Sequence, residues 1–77
     1  MRIKVLGPGC PKCREVEKLV REAVAAAGVA AEVTKVTDFQ EIMQHGVLST
    51  PAVVVDGQVK AAGRVPTRSE VLAWLGK

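Results

Sequence analysis

Cys10 and Cys13 are the only cysteines in the 77-residue chain, and they stand three apart in the stretch GPGCPKC. A sulfur pair at that spacing can staple the backbone, grip a metal ion or cycle between dithiol and disulfide. The staple is a weak use. The closed loop holds four residues, and loop-closure entropy for so short a loop gives roughly 2 kcal/mol, near the bottom of the usual range. A metal grip has the right donors, since C-x-x-C is half of a tetrahedral zinc site or a two-coordinate seat for a soft ion such as Cu(I). A closed zinc site needs two more ligands, however. The chain offers one histidine, His45, and no further thiol. His45 falls at the C-terminal end of a short helical segment, where a helix dipole accommodates an imidazole without any metal.

Redox cycling depends on where the pair sits. Ahead of it, RIKV alternates apolar and charged residues; behind it a helical repeat begins. Cys10 therefore falls at the N-cap of a helix, with Pro11 in the first turn, where a missing N–H costs nothing. A thiolate at that place faces free amide N–H groups and the positive end of the helix dipole. Lys12 and Arg14 add positive charge of the same tendency. Such settings lower thiol pKa values, and the thiolate is the attacking form. Cys13, one turn further in, is placed to attack a mixed disulfide formed by Cys10.

The rest of the chain supplies the elements that hold this pair. RIKVLG is a strand ending at Gly7-Pro8-Gly9. Val16, Leu19, Val20, Ala23, Val24 and Ala27 recur at helical spacing and form one apolar stripe, with Gly28 as the stop. Residues 30–36 alternate as a second strand. Asp38 and Glu41 form a capping-box pattern opening a short helix that ends near Gly46. STPAVVVDGQVKAAG is a hairpin turning at Asp56-Gly57. Thr67 and Glu70 open a last helix carrying Val71, Leu72, Trp74 and Leu75, with Gly76 as its stop. The order is β-α-β-α-β-β-α: an α/β domain with a four-stranded mixed sheet and three helices, whose first two strands are parallel. Phe39 and Met43 on the short helix, with Leu48 beyond it, are expected in the core rather than in an exposed groove. Copper carriers with C-x-x-C generally run β-α-β-β-α-β, a different order.

Composition excludes other classes. Hydrophobic residues make up 48% and charged residues 25%, which suits an ordered domain. The net charge of +3 is spread through Glu-bearing helices, and Phe39 and Trp74 are the only aromatics. Neither a basic stripe nor a base-stacking platform is present, so no nucleic-acid partner is expected. No apolar run approaches a membrane span. Met1-Arg2 leads straight into the first strand without a secretory h-region. The expectation is a cytoplasmic protein, a compartment in which a C-x-x-C pair is catalytic or metal-binding rather than a permanent bridge.

C-x-x-C at the helix of a β-α-β unit, followed by STPAVVV and a capped final helix, resembles the thioredoxin superfamily. The similarity is to its minimal thioredoxin- and glutaredoxin-like members, and it spans the whole of residues 1–77 as a single domain. The resemblance implies a thioredoxin-like fold and protein-disulfide reduction, with Cys10 as nucleophile, Cys13 as resolver and no cofactor beyond their disulfide. It implies that Pro51 is the cis-proline packed beside that disulfide. Thr50 would offer backbone groups to a substrate strand, and Gly63 would leave room next to the site. Pro11 and Lys12 would stabilise the thiolate. The implied partners are protein disulfides and a flavin-dependent thioredoxin-type reductase, with the chain acting as a monomer. The chain also departs from the typical pattern. Lys4 stands where full thioredoxins carry a buried acid, and Gly9 where they carry tryptophan. GRVPTRSE lacks the Gly-Gly and paired acids of glutaredoxins, which argues against glutathione as a partner. Arg64 and Arg68 are expected to be surface residues rather than contacts for a glutathione carboxylate.

Overall fold

The computed structural model describes residues 1–76. Its elements are β1 (Arg2–Leu6), α1 (Pro11–Ala27), β2 (Glu32–Val36), α2 (Phe39–Gln44), β3 (Ala52–Val55), β4 (Gln58–Ala62) and α3 (Arg68–Trp74). This is the order read from the sequence. The four strands form one sheet in the order β2-β1-β3-β4, with β1 parallel to β2 and the other neighbours antiparallel. The second strand starts at Glu32, two residues later than its alternation suggests.

Two apolar clusters follow from strand alternation, which sends successive side chains to opposite faces. On one face Ile3, Val5, Val53 and Val55 meet Val16, Val20 and Ala23 of α1 and Val71 of α3. On the other, Leu6, Val36, Ala52 and Val54 meet Ile42 of α2 and Val47. β3 is buried at every residue because it lies inside the sheet with apolar layers on both sides, which is why it reads as a continuous apolar run. Edge strand β4 is exposed except at Ala61 and carries Lys60, a feature that discourages edge-to-edge pairing.

The ends are set by local chemistry. Gly28 closes α1 in the left-handed conformation (φ 66°), its N–H donating to the carbonyls of Val24 and Ala25. Asp56 (φ 49°) and Gly57 (φ 83°) both have positive φ, as a two-residue hairpin turn between Val55 and Gln58 requires. Thr67 and Glu70 complete the full capping box of α3. At α2 the box is not formed as read. Asp38 accepts from the Gln40 amide at 3.0 Å, leaving the N–H of Glu41 outside the cap.

One expectation is overturned. Phe39, Met43 and Leu48 are 66%, 56% and 94% exposed and do not belong to the core. α2 has six residues, roughly 9 Å of helix, and a single turn and a half can turn only one side chain onto the sheet. Ile42 takes that place. Phe39 and Met43 lie four apart on the flank, and among the described residues no second helix packs on this face to cover them.

Candidate active site

Cys10 has extended backbone (φ −66°, ψ 162°) and is the N-cap of α1. Its carbonyl accepts the first helical hydrogen bond, from Arg14 N at 3.0 Å. Its Sγ accepts from the Cys13 N–H at 3.3 Å. The sulfur thus fills the role that a Ser or Asp oxygen fills in an ordinary N-cap. Pro11 begins the helix, and its first turn contains no acidic residue to oppose a thiolate. Cys10 is half-buried, with Pro11, Lys12 and Arg14 exposed beside it, whereas Cys13 is 2% exposed. The two sulfurs are joined as a disulfide, with Cα atoms 5.1 Å apart.

β1 and β3 bring the second half of the site to the first. Their register pairs Leu6 with Ala52, so that the next residue on each side sets Gly7 beside Pro51. The Thr50–Pro51 peptide bond is cis, and Pro51 is buried. Gly63, after β4, donates its N–H to the Pro51 carbonyl at 2.9 Å. Its φ of +75° and its closeness to Ser49 leave no place for a side chain: a Cβ there would stand 2.9 Å from the Ser49 Cβ.

Thr50 also borders a small hollow of about 110 Å³ lined by Phe39, Ile42, Met43, Val47 and Leu48. The residues expected in the core therefore form an apolar groove continuous with the Thr50–Pro51 corner. Two further features were not singled out in the sequence. Gly7 appears there only as the end of a strand, yet it is buried against Cys13. Ser49 faces Gly63 with nothing in its local pattern to show it.

Lys4 is half-buried on the α2 face of the sheet, in register with Thr34 and Val54. With Arg2, His45, Asp56 and Gly57 it lines a separate hollow of about 270 Å³, to which neither cysteine contributes. His45 is the C-cap of α2. Among the described residues, no group of three or more His, Cys, Asp or Glu side chains gathers as metal ligands. Arg64 forms a two-pronged ion pair with Glu70. Together with the Thr67 amide, this holds the Glu70 carboxyl down to about 2. Arg68 is exposed at the start of α3.

A mixed sheet that sets a C-x-x-C disulfide at a helix N-terminus beside a cis-proline corner defines a thiol–disulfide oxidoreductase of the thioredoxin class. The sequence profile described as Thioredoxin domain matches residues 1–76, and the chain belongs to that family. It is 38% identical over 71 residues to a protein named thioredoxin from Methanothermobacter thermautotrophicus, covering 92% of both chains. It is 39% identical over 69 residues to a thioredoxin from Methanocaldococcus jannaschii, covering 90% of this chain and 79% of the relative. A further thioredoxin of the latter organism is 27% identical over 73 residues.

Proposed function

We propose that the chain is a protein-disulfide reductase in which Cys10 attacks and Cys13 resolves. The Cys10 thiolate displaces one sulfur of a substrate disulfide, forming a Cys10–substrate bond and releasing a substrate thiolate. Cys13 gives up its proton, which the released thiolate takes up through solvent, and the Cys13 thiolate then attacks Cys10 Sγ. The Cys10–Cys13 bond forms, the second substrate thiolate leaves, and two electrons have passed from the dithiol to the substrate. Pro11 and Lys12 favour the attacking thiolate, one by opening the helix and the other by its charge. Thr50 presents backbone groups to an extended substrate segment beside Pro51, and Gly63 keeps that corner open. Phe39, Met43 and Leu48 give the segment an apolar wall.

The observation that carries this reading is the asymmetry of the pair. The sulfur that must meet a bulky substrate is half-buried at the helix N-terminus, and the one that acts only within the protein is enclosed. In this reading the chain works as a monomer in the cytoplasm, without cofactor. A flavin-dependent thioredoxin-type reductase reloads it, and neither glutathione, nucleic acid nor a membrane takes part. The relatives named thioredoxin support the reductive direction.

The deciding experiment is the equilibrium reduction potential of the Cys10–Cys13 pair, titrated in defined thiol–disulfide buffers with free thiols counted by alkylation. A value near the thioredoxin level of about −270 mV is expected. A value near the roughly −120 mV of a strong disulfide-forming oxidant would overturn the reductive assignment.

A further inference from the structure

Gly7 follows β1 and is held there by its N–H, which donates to the Val36 carbonyl at 2.9 Å. Its backbone is not in the left-handed region, so conformation alone does not demand glycine. Space does. A Cβ at this position would collide with Cys13 Sγ, would stand 3.0 Å from Cys13 Cβ, and would lie 3.9 Å from Thr50 Cβ. The volume that a side chain at residue 7 would occupy is the seat of the resolving sulfur. Neither backbone can yield easily: Gly7 is tied to β2, and Cys13 belongs to the first turn of α1, its N–H committed to Cys10 Sγ.

We infer that Gly7 is a positioning residue for the second half of the reaction: its missing side chain holds Cys13 Sγ aimed at Cys10. This rests on the assignment of Cys13 as resolver. In the first step Cys10 meets a substrate from the open side, and Gly7 takes no part. In the second step Cys13 Sγ must approach Cys10 Sγ in line, and a displacement of about 1 Å at a reacting centre can cost on the order of a hundredfold. A methyl group at residue 7 also acts on the two redox states unequally. A free Cys13 thiol relieves the collision by rotating away, whereas a sulfur bonded to Cys10 cannot. The added group therefore penalises the disulfide more than the dithiol.

The test is Gly7→Ala in the full chain. The reduced protein is mixed with a chromogenic aromatic disulfide in stopped flow. The first thiolate released reports attack by Cys10, and the second reports resolution by Cys13. The expected result is a first phase within about twofold of the parent, a second phase at least tenfold slower, and a disulfide about tenfold easier to reduce, equivalent to about 30 mV. Two unchanged phases, or an equal fall in both, would overturn the inference. Gly7→Ala combined with Cys13→Ala separates contact from folding. If the collision is with the sulfur, removing the sulfur restores most of the stability lost by Gly7→Ala, even where the single variant does not fold; persistent loss would overturn the inference. Cys13→Ser alone isolates the underlying reading. If it still releases the second thiolate, Cys13 is not the resolver, whatever Gly7 does.

Discussion

Arg64 grips Glu70 through both carboxylate oxygens, Nη1 to Oε1 at 2.9 Å and Nη2 to Oε2 at 2.6 Å. The Oε1 atom also accepts the Thr67 amide at 3.0 Å, while Thr67 Oγ1 accepts from the Glu70 amide at 3.2 Å. One carboxylate thereby ties the loop after Gly63 to the start of α3. Its hydrogen bonds from Arg64 and Thr67 favour the charged form and hold the Glu70 carboxyl at about 2.

The sign of the resulting pH dependence is fixed. A depressed folded-state pKa contributes stability that is fully present above the unfolded value, about 4.3, and is lost as pH falls toward 2. The melting temperature of Glu70→Gln should lie below that of the parent at pH 6, and the gap should close as both are measured down to pH 2. Because the pair is exposed, the gap should also shrink in high salt. A gap that grows on acidification would contradict this account.

Cys13→Ser should accumulate mixed disulfides with partner proteins, and Cys10→Ser should not, because only the first leaves an attacking thiol without a resolver. Non-reducing gels of affinity-purified variants read this directly. Equal trapping by both variants would mean that the two sulfurs do not divide the reaction.

Lys12→Gln should shift the pH dependence of Cys10 alkylation toward higher pH and slow the reaction on its rising limb by up to roughly fivefold, the effect of losing one exposed charge–charge interaction of about 0.2–1 kcal/mol. The plateau at high pH should not fall, because a thiolate of higher pKa is at least as nucleophilic. A lowered plateau would indicate a role other than charge.

Leu48, 94% exposed beside Thr50, should tolerate Leu48→Ser with a stability change within about 0.5 kcal/mol. The same change should raise KM for a protein disulfide more than for a small aromatic disulfide, which has no segment to lay along the groove. Equal effects on the two substrates would argue that the groove does not bind the polypeptide.

Ile3, 2% exposed between the sheet and α1, should respond in the opposite manner. Ile3→Val should cost about 1 kcal/mol, lowering the melting temperature by roughly 4–8 °C in a domain of this size, with no change in the reduction potential. Thermal unfolding of the oxidised protein measures the first, and the redox titration the second.

Much of this was legible in local pattern. The stripe Val16, Val20 and Ala23 made α1 unmistakable and lies in the core. The apolar run Ala52–Val55 marks a hairpin strand, and Asp56-Gly57 marks its turn; that the strand lies inside the sheet is visible only in the strand order. α2 shows where local pattern stops. Phe39, Ile42 and Met43 have helical spacing, but spacing gives a direction around the helix axis and not what stands opposite. Only the packing of α2 on that face of the sheet decides that Ile42 is covered and its neighbours are left in the groove. Asp38 is similar: the capping residue is evident, whereas the amide it binds depends on the angle at which the chain enters the helix.

The chemistry open to this chain is written in its local order, because two thiols three residues apart at the seam of a strand and a proline-led helix are a matter of covalent order and of the helix's own dipole. The order of elements is local in the same sense, since hydrophobic periodicity and capping residues act over a few positions. Which other residues join those thiols depends on how the strands pair. Thr50, Pro51 and Gly63 come to Cys10 and Cys13 through the pairing of β1 with β3 and of β3 with β4. Gly7 gains its importance from the sulfur that the first turn of α1 lays against it. Such contacts join segments distant in the chain, and no local rule of spacing carries the distance between them.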